Sequence, residues 1–331
     1  MRHIDSFTGI TDGLVPFGGS VVTIGVFDGL HRGHLELISR TVARAHTDGL
    51  ASLVVSFTEH PLRTLAPPYC PRRLLYPDRR RQLLAGAGVD VLAEVEFSED
   101  FSRQAPERFV EDTLVGLCRM RAIVCGYDFS FGRAGAGSTA LLHEMGARFG
   151  FAVEVLPPVS DGETFVKSTM IRDLLYSGDV TRAAAMLTRP YELRGVVTDG
   201  FGRGRELGFP TANLKADDRH LVPARGVYVC AARVAGDRRI RPAMTNIGVN
   251  PTFGGSSMSI ESHLIDHHDN LLGRDVSLFF LARLRDERKF PGPEALVAQL
   301  HNDLRVSREL IAGAAVREHL DALGILTRND P

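Results

Sequence analysis

Asp28, His31 and His34 follow directly on an apolar run, in the stretch SVVTIGVFDGLHRGHLE from Ser20 to Glu36. A strand that ends in a glycine-containing turn and leads into a helix aims backbone N–H groups and a helix N-terminus at one point. That is an anion site. Two histidines there can donate hydrogen bonds to phosphate oxygens. With an ordinary pKa of about 6.5 they also gain positive character when a triphosphate binds. The pattern suits stabilisation of the charge that develops in phosphoryl or nucleotidyl transfer. A core histidine beside a helix-capping one is the plainer alternative, and on this stretch alone both readings stay open.

The elements that must position these side chains follow from periodicity. SVVTIGVF reads as a strand, and Leu35, Ile38, Val42 and Ala45 then lie at helical spacing, with Gly49 as the stop. ASLVVSF is the next strand, which completes a βαβ unit. The alternation continues with a helix near Asp78–Ala85 and the strand VDVLAEVEF. A helix opened by Pro106 leads to AIVCGYDF, and a helix near Leu141–Phe149 leads to FAVEVL. This predicts a parallel sheet covered on both faces. Ligands of such sheets bind beyond the carboxyl ends of the strands, where Asp28, Phe57 to His60 and Asp128 are expected. The grammar changes near Arg189-Pro190. YELRGVV, GVYVCAARV, RPAMTNIG, SIESHLI and DVSLFFLARL are β-rich and separated by turn residues. They read as an antiparallel barrel or sandwich. A final helix from Pro293 to about Ile311 carries Leu296, Leu300 and Leu304 on one face.

The 331 residues suit about two domains. With a net charge of −1, no global basic field argues for nucleic acid. Arg79-Arg80-Arg81 is expected to be a solvated helix face. No run of eighteen apolar residues occurs, so no membrane span is expected. The first residues carry no signal-peptide pattern, and Cys70, Cys118, Cys125 and Cys230 share no metal-ligand spacing. Reduced thiols and a cytoplasmic location are the expectation. Assembly into a homo-oligomer stays open.

Four motifs then narrow the chemistry. GVFDGLHRGH resembles the GxFDGxHxGH signature of the nucleotidylyltransferase superfamily. VVSFTEHP, VCGYDFSFGRAGAGS and KSTMIRDLLYSGDVTRAAAML resemble further segments of one family. Together they look like the adenylyltransferase module of bacterial bifunctional riboflavin kinase/FAD synthetase, over about residues 15–187. GVVTDGFGRGRELGFPTANL resembles the riboflavin kinase signature of the same family, as do NIGVNPTFGG and the segment from Ser259 to Phe290. The resemblance implies an α/β Rossmann-like nucleotidylyltransferase domain with a parallel sheet over 1–187. An antiparallel β-barrel riboflavin kinase domain with a C-terminal helix would follow over 188–331. It implies phosphorylation of riboflavin to FMN by ATP, then nucleotidyl transfer to FMN, with FAD the expected product. Glu261 falls where the family's catalytic base falls. Gly200, Gly202 and Gly204 would let backbone approach phosphates, with Arg203 and Arg205 adding charge. Thr211 and Asn213 would hold Mg²⁺ and phosphate through oxygens. In the first module His31, His34 and Arg172 would act on the triphosphate. Gly25, Phe27, Asp28, His60, Ser168 and Thr169 would bind nucleotide, the last two as helix caps. Asp128, Phe129 and Phe131 would seat the flavin.

Two positions depart from the family pattern. The PHP segment is here Glu59-His60-Pro61, and the SSTxIR segment begins with Lys167. Three readings follow. Glu59 and Lys167 are tolerated, as a local ion pair. Or the bulky cation weakens the second activity and leaves mainly a riboflavin kinase. Or the pair reads a base other than adenine, so that CTP or GTP is preferred, by the edge logic of groove readout. A non-catalytic flavin- or nucleotide-binding regulator is a fourth possibility, against which the intact Glu261 and both histidines argue.

Overall fold

The computed structural model describes all residues except 14–17, 163, 201–202, 238, 253–254, 268 and 314–331. Gly202 and the side chain of Arg203 lie outside what is described. Two compact units result, Met1–Ser168 and Thr169–Pro331.

The first unit is built on six parallel strands, β1 (Arg2–Ile4), β2 (Ser20–Ile24), β3 (Ala51–Phe57), β4 (Val91–Val95), β5 (Met120–Gly126) and β6 (Ala152–Leu156), in the order β1-β4-β3-β2-β5-β6. Every residue of β3 is buried, as a central strand covered on both faces requires. Alternate residues serve the two faces. Leu53, Val55, Val91, Ala93, Ile123 and Cys125 join one core layer with Phe109, Leu114 and Leu142. Val54 and Leu92 join the other with Phe27, Leu30, Ile38 and Leu84. The helices of seven or more residues are α1 (Phe7–Gly13), α2 (Arg32–Asp48), α3 (Pro77–Gly86) and α4 (Thr139–Phe149), with a π-helical segment, Phe109–Leu117, after the short turn opened by Pro106. Helix α2 ends on Gly49 at φ 67°, as its sequence predicts. A two-stranded ribbon, β7 (Ser160–Asp161) and β8 (Thr164–Phe165), closes the unit. Strand β1 was not expected.

The arginine run departs from its expected exposure. Arg80 is 8% exposed. Its guanidinium donates to the carbonyls of Val26 (2.9 Å) and Phe57 (2.8 Å), and to the Glu94 carboxylate (2.5 and 3.1 Å). Arg81 (2.9 Å) and His3 (2.7 Å) hold the other Glu94 oxygen. One buried ion pair thus fastens the chain just past the ends of β2 and β3 to β4. Burial alone would raise the Glu94 carboxyl. The charge and hydrogen bonds of Arg80, with Arg81 and His3, outweigh it and hold the group below the usual carboxylate range.

The second unit begins with α5, which runs Ser168–Ser177 across the division, and α6 (Val180–Leu187). Six antiparallel strands follow: β9 (Tyr191–Thr198), β10 (Ala212–Ala216), β11 (Gly226–Val234), β12 (Ile240–Thr252), β13 (Gly255–Leu264) and β14 (Asp275–Arg285). They form a closed barrel, β10-β13-β12-β11-β14-β9. The choice between barrel and sandwich is settled by β10, which pairs with both β9 and β13. Inside, the hydroxyls of Thr245 and Ser262 satisfy each other at 3.0 Å. Helix α7 (Pro293–Ala312) packs Val297, Leu300 and Leu304 on Phe209, Met244 and Ile265, so Val297 takes the place expected of Leu296.

Replacing one partner of the Arg80–Glu94 pair leaves a buried charge uncompensated. Glu94→Gln is expected to lower the unfolding free energy of the first unit by about 3–5 kcal/mol at pH 7, read from urea midpoints. A depressed folded-state pKa contributes stability above the unfolded value of about 4.3 and loses it as pH falls through the folded one. The gap between wild type and variant therefore closes on acidification, and equal midpoints at pH 7 contradict the assignment.

Candidate active sites

The first site grows from the turn between β2 and α2. Phe27 (φ 50°), Gly29 (φ 89°) and Leu30 (φ 42°) are all left-handed. For Phe and Leu this costs about 1–2 kcal/mol each, so the surroundings must hold the turn. Phe27 and Leu30 are 1% and 0% exposed in the core layer beneath α2. The Asp28 carboxylate accepts the N–H groups of Leu74 (2.9 and 3.1 Å) and Leu75 (3.1 Å). The Ser168 hydroxyl donates to the Asp28 carbonyl at 2.9 Å.

His31 is the N-cap of α2, and its Nδ1 accepts the His34 N–H at 3.4 Å. In the neutral ring this puts the proton on Nε2. The imidazoles of His31 and His34 stack with centroids 3.7 Å apart and planes 19° apart. The edge of His34 meets Phe27 at 5.3 Å. Gly33 keeps this approach open: a Cβ there would lie 3.3 Å from the His31 ring and 3.6 Å from the Val166 carbonyl.

Beyond the ends of β2 and β3 a pocket is lined by Asp28, Thr58, Glu59, His60, Arg73 and Arg80. His60 Nδ1 accepts the Leu62 N–H at 3.1 Å. Glu59 pairs with Arg73. Lys167 pairs with Asp128 at 3.0 Å and lies over the Tyr127 ring at 5.5 Å. Hydrogen bonds to Tyr127 and Asp128 hold its ammonium above the ordinary lysine value. The Glu59–Lys167 ion pair allowed by one of the three readings is not formed, since Glu59 pairs with Arg73 and Lys167 with Asp128.

Other expectations need correction. The Phe27 ring belongs to the core and presents no surface to a nucleotide. It also covers Gly25, where a Cβ would lie 3.1 Å from it. Phe131 is 8% exposed and packs on Phe109. Phe129, stacked on Phe131 at 5.5 Å, is only partly buried and packs against the same core. The Asp28 carboxylate, which also lines the pocket, is held by backbone amides, and the Ser168 hydroxyl donates to the Asp28 carbonyl. Thr169 is exposed, and Arg172, on α5, is buried. Arg73 and Arg80 were missed as pocket residues, their only signal being two basic runs.

The second site lies on the barrel. Glu261 of β13 sits directly opposite Asn213 of β10 and Asn246 of β12. Directly opposed Cβ atoms are about 5 Å apart. Ala212, Leu214, Ile260 and Ser262 are buried, so Asn213 and Glu261, which alternate with them, share the outer face. Among the described residues the Glu261 side chain makes no hydrogen bond or ion pair. His263, two residues on, meets the Pro210 carbonyl at 2.8 Å and so fastens the segment that carries Thr211. Any side chain on Gly200 would collide with the Asn213 amide, and one on Gly204 with the Phe209 carbonyl. What these glycines permit here is close packing on the PTAN segment. Glu287, unforeseen in the sequence, places its carboxylate against Gly248, beside Asn246. The described residues hold no cluster of three His, Cys, Asp or Glu suited to a metal. The Thr211 hydroxyl and Asn213 amide are instead hard oxygen donors, of the kind that hold Mg²⁺ jointly with substrate phosphates.

Residues 17–170 match the FAD synthetase family and residues 187–311 the riboflavin kinase family. A bifunctional riboflavin kinase/FMN adenylyltransferase of Listeria monocytogenes is 33% identical over 88% of this chain and 92% of its own. The Escherichia coli protein of that name is 32% identical over 89% and 93%, and that of Bacillus subtilis 33% over 86% and 90%. The crystal structure of a macrolide-efflux protein from Streptococcus pneumoniae, 32% identical, covers 93% of this chain and 98% of its own at a TM-score of 0.82. No described helix is long and apolar enough to cross a membrane. With both modules matched in tandem and relatives aligned almost end to end, the chain belongs to the bifunctional riboflavin kinase/FMN adenylyltransferase family.

Proposed function

We propose that this protein converts riboflavin to FMN with ATP on the barrel, and FMN to FAD with a second ATP at the turn before α2. The observation that carries the reading is the register of β13, which sets Glu261 beside Asn213 on an accessible face. Glu261 takes the proton of the riboflavin 5′-hydroxyl as its oxygen attacks the γ-phosphorus. A carboxylate with no side-chain partner among the described residues suits that role. Thr211 and Asn213 would hold Mg²⁺, which supplies charge neutralisation for the phosphates. Gly200 and Gly204 shape the loop, and Arg203 adds charge to it.

In the first unit an FMN phosphate oxygen attacks the α-phosphorus and pyrophosphate leaves. The stacked His31 and His34 stabilise the charge, and Thr169 and Arg172 are assigned to nucleotide by the family motif alone. His60 lines the pocket, while Gly25 and Asp28 shape the turn. Phe129 and Asp128 meet the flavin. We take the functional modules to run over 1–187 and 188–331.

ATP remains the expected nucleotide. A base-reading pair needs Lys167 and Glu59 in one pocket edge, and they hold separate partners. A weakened transferase or a silent regulator gains nothing from the preserved turn and a Glu261 carboxylate free among the described residues. All four cysteines are free, and burial pushes the thiols of Cys118 and Cys230 up to about 12. Unpaired thiols, three of them buried, fit a cytoplasmic enzyme.

The two half-reactions separate by mutation. Glu261→Gln is expected to lower kcat for FMN formation about 10²–10⁴-fold. FAD synthesis from supplied FMN should stay near wild type. Retained kinase turnover contradicts the base assignment. His31→Asn keeps an N-cap side chain but removes the imidazole. It is expected to abolish FAD formation while riboflavin is still phosphorylated, and undiminished FAD formation rejects the role.

A further inference from the structure

Lys167 stands where the family motif carries its first serine, and the chain on either side of it is fixed. Val166 is 5% exposed, its carbonyl lies beside Gly33 at the start of α2, and its N–H donates to the Val159 carbonyl at 2.9 Å. Ser168 is bonded to the Asp28 carbonyl in the signature turn. The backbone of Lys167 is therefore held between the start of α2 and the signature turn. Its ammonium rests on Asp128 at 3.0 Å, with side-chain exposures of 49% and 56%. An ion pair so exposed is worth under about 1 kcal/mol. A polyphosphate is a stronger partner for the same cation, and the four-carbon stem lets the ammonium turn without moving the backbone.

We propose that Lys167 is a phosphate-binding residue of the transferase site, its ammonium passing from Asp128 to the β- and γ-phosphates when a triphosphate enters. This rests on the transferase reading above. In the step, an FMN phosphate oxygen forms the new bond to the α-phosphorus. The bond from the α-phosphorus to the bridging oxygen breaks, and its electron pair stays on the departing pyrophosphate. The ammonium donates hydrogen bonds to that growing charge and transfers no proton. Because the charge is larger in the transition state than in bound ATP, the contact favours turnover as well as binding. The same movement frees the Asp128 carboxylate on the flavin side of the site.

The test uses the full chain and its Lys167→Ser and Lys167→Arg variants, with FMN, ATP and Mg²⁺ supplied. Lys167→Ser is expected to lower kcat for FAD formation, and to raise the KM for ATP and weaken inhibition by inorganic pyrophosphate about tenfold each, the scale of one charge-assisted hydrogen bond. Lys167→Arg should recover most of each, and phosphorylation of riboflavin by the same preparations should not change. Wild-type values for ATP and pyrophosphate in Lys167→Ser overturn the proposal. So does an effect confined to the KM for FMN, which would make Lys167 a pin for Asp128. A changed ratio of ATP to CTP and GTP turnover also overturns it, since that marks a nucleobase contact. Calorimetric binding of pyrophosphate separates the two claims. Equal binding by wild type and Lys167→Ser defeats the phosphate site. Weaker binding by the variant, in a protein that makes no FAD, supports the phosphate site and defeats the transferase reading.

Discussion

The guanidinium of Arg80 is the fastening on which the first unit's chemistry depends. It takes the carbonyls of Val26 and Phe57, where two central strands have just ended, and closes on Glu94 of the third. Backbone carbonyls at strand ends have lost their ladder partners and, once buried, must find others. Supplying them from one planar, permanently charged fork fixes their positions relative to each other. Glu94 makes the buried cation tolerable, and His3 and Arg81 make the buried carboxylate tolerable in turn. The floor of the pocket is thus set by charge, beneath a sheet otherwise held by apolar packing.

The turn above that floor carries strain that the packing must offset. Left-handed Phe27 and Leu30 are kept by burying their side chains, and the Asp28 clamp and Ser168 hold the backbone between them. What results is a rigid lead into α2, with His31 both capping the helix and stacking on His34. The plain reading of the motif, a capping histidine, and the catalytic one are therefore compatible. The barrel positions its site differently. There, β-register alone brings Asn213, Glu261 and Asn246 side by side, and barrel closure leaves that register no freedom to slip.

Most of the architecture was legible because its signals are local. Strands of alternating or continuous apolar character between glycines and prolines announced both the parallel sheet and the barrel. Strand β1 was not legible, since three residues with one partly buried side chain carry no period. Strand β10 read only as extended, because closure depends on partners far along the chain. Motifs told which residues are present and not where they point. Phe27 and Phe131 matched a signature yet serve the core. Arg80 sat in an apparently solvated run, and the partners of Glu59 and Lys167 depend on loops that no spacing rule connects.

Two sites cleaving two different bonds of ATP is the central claim, and isotope position tests it most directly. With riboflavin and Mg²⁺, ATP labelled at the γ-phosphorus should label FMN, and FAD through its FMN phosphate. ATP labelled at the α-phosphorus should label FAD and never FMN. Label from the α-position in FMN, or FAD that carries none of it, would contradict the account.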